Sequence, residues 1–124
     1  MDIAIDFDGT CVTHEYPDTG KEIGAKPILK QLVKEGHKLI LFTMRSGQGL
    51  EEAAKWFLVN NIPLHGIQYN PSQTSWTASN KCYAQLYIDD AALGCPLIYP
   101  TKGRPYVDWS RVKELLIEKK ILNP

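Results

Sequence analysis

Two carboxylates two residues apart, Asp6 and Asp8, close an apolar run at the start of this chain: IAIDFDGT, residues 3–10, passes from strand-forming residues into like charges, a glycine and a hydroxyl. A second apolar run, LYIDD, ends in Asp89 and Asp90. Two unit charges about 4 Å apart repel by roughly 4 kcal/mol at an effective dielectric of about 20, so a fold that gathers these carboxylates must offset the cost. A divalent cation does so most directly, because several carboxylates converging on one edge make an oxygen-rich cavity that suits Mg²⁺. Taken singly, an Asp-Gly string is also a common turn and an acidic pair also caps one. The ordered set, with Thr43 closing a third apolar run, KLILFT, is far more specific than its members.

Whether those tips meet depends on the elements that carry them, and the hydrophobic pattern alternates strand and helix. After the first strand, KPILKQLVKEG sets Ile28, Leu29, Leu32 and Val33 on one helical face, with Pro27 early and Gly36 placed to end it. KLILFT reads as a strand buried on both faces. Leu50, Ala53, Ala54, Phe57 and Leu58 then recur at helical spacing until NNIP stops the helix. A short strand at Ile67 to Tyr69, the polar loop NPSQTSWTASN and one helical turn from Lys81 to Gln85 lead to the LYIDD strand. A short strand at Leu97 to Tyr99 precedes a last helix from about Asp108, with Trp109, Val112, Leu115 and Leu116 inward. This is the pattern of one α/β domain over residues 1–124: a three-layer, Rossmann-like open parallel sheet with helices on both faces and right-handed crossovers. Ligands of such sheets bind beyond the carboxyl ends of the strands, where Asp6, Asp8, Thr43, Asp89 and Asp90 all fall. Residues 11–25 are long for a βα connection, usually about 2 to 6 residues, and are expected to form a flap or hairpin over the site.

In order along the chain, DFDGT, LILFTMR with Thr43, Lys81 and YIDD resemble the four motifs of the haloacid dehalogenase superfamily, most of whose members are Mg²⁺-dependent phosphohydrolases. The resemblance runs from Ile3 to about Tyr99. It implies that Asp6 attacks phosphorus to form an aspartyl-phosphate, while Asp8 protonates the leaving oxygen and then activates water. It further implies that Thr43, the backbone N–H of Met44 and Lys81 hold the phosphoryl oxygens. Asp89 and Asp90 would complete an Mg²⁺ site with Asp6 and the backbone carbonyl of Asp8. These roles make physical sense, because a carboxylate can approach a phosphate dianion only when a cation cancels their repulsion, and phosphoryl transfer is catalysed mainly by positioning and electrostatics. Members of that superfamily gate their sites with inserted cap domains. The about 32 residues between Thr10 and Thr43, and the about 37 between Thr43 and Lys81, leave no room for one. The chain therefore resembles the capless branch, whose open sites serve large substrates or small ones enclosed by a neighbouring subunit, so a homo-oligomer is one form to look for. Cys11 stands where an aliphatic residue is frequent, and Cys82 where a proline often follows the lysine. The implied function is phosphomonoester hydrolysis; a phosphotransferase would use the same intermediate, and a receiver-like module phosphorylated on Asp6 is the non-catalytic alternative. Asp8 distinguishes the last, since a receiver needs no acid or base two residues along.

Composition agrees with a globular protein: 44% of residues are apolar, 23% are charged, and fourteen charges of each sign cancel. Zero net charge offers no global pull toward nucleic acid or an anionic bilayer, which leaves a phosphorylated substrate of unknown identity as the expected partner. No apolar run reaches the roughly 20 residues of a membrane span, and the start of the chain lacks secretory-signal character. Three cysteines without a CxxC pair suit a reducing compartment, and a cytoplasmic location is expected. Gly47 and Gly49 form a GxG without the third glycine of a dinucleotide site. Arg45 reaches either substrate or a salt bridge, His14 is a candidate contact for a leaving group, and Tyr69 and Trp76 stand either at the entrance or in packing.

Overall fold

The computed structural model describes residues 1–124. The first apolar run forms β1 (Asp2–Ile5), and KLIL forms β2 (Lys38–Leu41) beside it, with α1 (Ala25–Lys34) between them in the chain. Then come α2 (Gly47–Val59), β3 (Gly66–Ile67), a 3₁₀ turn at Pro71–Gln73, β4 (Leu86–Ile88), β5 (Leu97–Ile98), β6 (Tyr106–Val107) and α3 (Trp109–Glu118). Strands β3, β2, β1 and β4 pair in that order, and every pairing is parallel. The chain steps from β1 outward to β3 and then returns to the other side of β1, so strand order reverses between β1 and β4. That reversal lies between the two acidic pairs, at the crevice where open α/β sheets bind ligands.

Side chains alternate across the pleat. Ile3, Ile5, Leu39 and Leu41 join one core with Leu29 and Leu32 of α1, Trp56 and Phe57 of α2, and Trp109, Val112 and Leu116 of α3. On α2 the inward face is Ala53, Trp56 and Phe57, while Leu58 is exposed, a rotation from the expected stripe. Trp56 causes it by meeting Phe7 and Phe57 edge-on, at ring separations of 5.8 and 5.0 Å.

The sequence pattern predicts helices on both faces, but all three α-helices pack on this one, and the layer on the opposite face is thinner. Ala4 and Ile40 are buried there apart from the main core, beneath the 3₁₀ turn and the irregular segment that follows it. Asn70 donates to the Asp2 carboxylate (2.8 Å) and to the Tyr83 carbonyl (3.1 Å), and Tyr87, in register with Ala4, donates to the Cys82 carbonyl. A polar segment can cover a sheet only if its backbone groups find partners. The buried Gln73 side chain supplies them, donating to the carbonyls of Ser79 (3.3 Å) and Lys81 (3.1 Å) and accepting from the Tyr83 N–H (2.8 Å). The helical turn expected at Lys81–Gln85 is therefore absent, because these bonds hold the chain extended. Strand β3 ends at Ile67 rather than Tyr69, because Gln68 turns into a positive φ of 68°.

Strand β6, not anticipated from the sequence, pairs antiparallel with β5. The pair docks beneath the first motif: Val107 N–H donates to the Gly9 carbonyl (2.9 Å) and the Trp109 indole N–H to the Thr10 carbonyl (2.7 Å). Residues 11–25 close as a narrow loop, with Val12 bridged to Asp8 and Glu22 and Thr13 N–H bonded to the Lys21 carbonyl at 3.0 Å, rather than as a continuous hairpin. No helix is long and apolar enough to cross a membrane.

If Gln73 holds the second layer, Gln73→Leu should cost about 2–4 kcal/mol in urea unfolding, because it leaves buried backbone groups unpaired. A loss under about 0.5 kcal/mol would mean that packing alone holds this segment.

Candidate active site

Asp6 leaves the tip of β1 and Asp89 and Asp90 leave the tip of the adjacent β4, which brings one carboxylate oxygen of each within 4.8 Å of the others. Two side chains hold this cluster. The Thr10 hydroxyl donates to Asp6 Oδ2 (2.8 Å) and accepts from the Asp90 N–H (3.0 Å), tying the two tips together. His14 Nε2 donates to Asp90 Oδ2 at 2.8 Å. Gly9 permits this approach: its φ is 81°, and a Cβ there would collide with both the His14 ring and the Asp90 carboxylate. Burial first, then the neighbouring Asp90 and the charge of Asp89, push the Asp6 carboxyl from 3.8 up to about 8. Asp89 is raised as well, again mainly by burial.

Asp8 does not join that cluster. Its two oxygens accept from Nε and Nη2 of Arg45, both at 2.8 Å, in a bidentate pair. Arg45 is only 3% exposed and also donates to the carbonyls of Asp18 (2.8 Å) and Gly49 (3.3 Å). Phe7 and Tyr16 flank its guanidinium, each ring centroid 5.1 Å away. Of the two readings open for Arg45, the structure has the salt bridge. Asp8 can thus serve a metal site only through its main chain, and no hydrogen bond ends on its carbonyl oxygen.

Beyond β2 the chain turns sharply, and Gln68 shapes the turn from the tip of β3. Its side chain accepts from the Thr43 N–H (2.8 Å) and donates to the carbonyls of Thr43 (2.7 Å) and Arg45 (3.3 Å). The Thr43 hydroxyl accepts from the Arg45 N–H (3.1 Å), which leaves its own hydrogen free. The Met44 N–H has no acceptor, and the Met44 side chain is almost fully exposed. The residues that carry these two donors share with the acidic cluster a cleft of 540 Å³ lined by Asp6, Asp8, His14, Tyr16, Thr43, Met44, Arg45, Asp89, Asp90, Ala91 and Arg104.

Of the residues expected here, Lys81 is not among them. Its ammonium lies 5.8 Å from the centre of the Tyr87 ring, in a separate hollow shared with Gln73, Trp76 and Tyr83. The Gln73 bonds that straighten residues 79–83 draw it onto the second face of the sheet. Trp76 packs there edge-on to Tyr83 at 5.5 Å, so it does not form the entrance. His14 lines the cleft and bonds Asp90. Cys11 is completely buried, with its thiol bonded to the Asp6 carbonyl at 3.3 Å. Three participants went unread: Thr10 as the tie between tips, Gln68 as the shaper of the Thr43 turn, and Arg104 in the cleft wall. Only Gln68 carried a usable signal, its place directly after a strand.

The donor set suits a hard divalent cation: three clustered carboxylate oxygens with an unclaimed carbonyl nearby in the chain, and neither thiolate nor free imidazole. Fold and site together define an α/β protein with an acidic cleft at the switch point of its sheet. Among solved structures it is similar to the conserved protein coded by a locus from Bacteroides thetaiotaomicron, with 38% identity, 96% of this chain and 91% of that one covered, and a TM-score of 0.78. The chain belongs to the same family as that protein. No family model matches the chain, and no curated protein matches it.

The crowding of Asp6 has a signature in stability. Its carboxyl binds a proton more tightly folded (about 8) than at the ordinary 3.8, so without divalent ions stability falls as pH rises between these values and levels off above about 8. Asp6→Asn should remove that slope and, after solvent screening, add on the order of 1–2 kcal/mol at pH about 8 in EDTA, read by thermal unfolding. A variant no more stable than wild type there would mean that neither burial nor the neighbouring carboxylates raise the Asp6 carboxyl.

Proposed function

We propose that the protein is an Mg²⁺-dependent phosphomonoesterase of the haloacid dehalogenase type, acting through an aspartyl-phosphate on Asp6. The observation that carries this reading is the convergence of Asp6, Asp89 and Asp90 on one cleft with the free Thr43 hydroxyl and Met44 N–H. Asp6, Asp89, Asp90 and the Asp8 carbonyl would hold Mg²⁺, which when bound supplies the positive charge that lets one anion approach another.

The chain's own residues account for the remaining steps. Thr10 orients the Asp6 carboxyl as nucleophile, and the donors at Thr43 and Met44 meet the charge that develops on the equatorial phosphoryl oxygens. Asp8 is held as an acceptor by Arg45, which equips it to take the proton of the water that attacks phosphorus and releases Asp6. Protonating the leaving oxygen in the first half-reaction requires one of the two Arg45 bonds to open. The open cleft supports the capless reading, and three unpaired thiols support a reducing, cytoplasmic setting.

Wild type with Mg²⁺ should release phosphate from p-nitrophenyl phosphate, and Asp6→Asn should lower kcat by at least about 1000-fold, since no covalent intermediate can form. If wild type hydrolyses nothing across a broad phosphoester panel yet accumulates stable phospho-Asp6 by mass spectrometry, the receiver-like reading replaces this one.

A further inference from the structure

The cation balance of the cleft leaves one residue over. A phosphoryl group adds negative charge to a cleft already lined by Asp6, Asp8, Asp89 and Asp90. Lys81, the cation the motif order points to, sits over Tyr87 in a different hollow. Arg45 is in the cleft wall but is committed to Asp8, Asp18 and Gly49. His14 is committed to Asp90. Arg104 alone among the cationic lining residues is exposed and makes neither an ion pair nor a hydrogen bond.

The backbone beneath Arg104 is tethered to the site. Arg104 stands on the loop between β5 and β6, which is bounded by Pro100 and Pro105. The base of that loop is fastened to the nucleophile's own motif by Val107 to Gly9 at 2.9 Å and Trp109 to Thr10 at 2.7 Å. The backbone that carries Arg104 is therefore fastened to the segment that presents Asp6 and Asp8. A guanidinium also matches phosphoryl oxygens in a planar fork, which a lysine ammonium does not.

We propose that Arg104 binds the phosphoryl group in this cleft, in the role that the motif order assigns to Lys81. The inference rests on the phosphatase reading, and two measurements separate its failure from that reading's failure. In steady-state hydrolysis of p-nitrophenyl phosphate with Mg²⁺, Arg104→Ala should lower kcat/KM by about 30-fold or more, Arg104→Lys should recover only part, and Lys81→Ala should stay within about twofold of wild type. In calorimetric titration with inorganic phosphate and Mg²⁺, Arg104→Ala should weaken binding about tenfold or more while Mn²⁺ binding stays as in wild type. Equal phosphate binding by wild type and Arg104→Ala, no phosphate binding by either, or a loss carried by Lys81→Ala overturns the proposal. Phosphate binding that depends on Arg104 in a protein without turnover upholds it, and the phosphatase reading fails alone.

Discussion

Three carboxylates held within 4.8 Å at the tips of adjacent strands are the constraint around which this structure is organised. Burying carboxylates that close together is costly, and the raised Asp6 carboxyl registers that cost, first from burial and then from Asp90 and Asp89. The supports make sense against it. Thr10 fastens one tip to the other, His14 binds the outer face of Asp90, and Gly9 gives up its side chain so that both fit. Gathering these groups costs stability, and the supports around them offset part of that cost.

Arg45 is the second organising element, and it works by spreading its donors over several segments. One guanidinium bonds the β1 tip through Asp8, the 11–25 loop through the Asp18 carbonyl and the start of α2 through the Gly49 carbonyl. Burying such a group is costly unless its charge is paired and its donors bonded, and here those bonds join three segments distant in sequence. Tyr16 lies over it from the outer side, so the loop above the cleft is held by the same residue that fixes Asp8. Arg45 is therefore a joint of the fold before it is a cation available to substrate.

The two faces of the sheet are finished by different means. One is covered by three amphipathic helices sharing an apolar core with the strands. The other is covered by a polar segment whose order comes from Asn70 and Gln73, side chains that take over hydrogen bonding a helix would have done with its own backbone. That substitution carries Lys81 away from the cleft.

What the sequence by itself determined was the alternation of strand and helix, the single parallel sheet and the identity of the tip residues Asp6, Asp8, Thr43, Asp89 and Asp90, because apolar period and run length are local properties. It could not say that Trp56 would turn α2, that β6 would form, or that Gln68 would shape the Thr43 turn. Tertiary structure alone decided which cation faces which anion: Arg45 on Asp8, His14 on Asp90, Lys81 over Tyr87 and Arg104 at the cleft. The physical reason is that such pairings depend on where aperiodic loops come to rest, and those positions are fixed by hydrogen bonds between residues far apart in the chain.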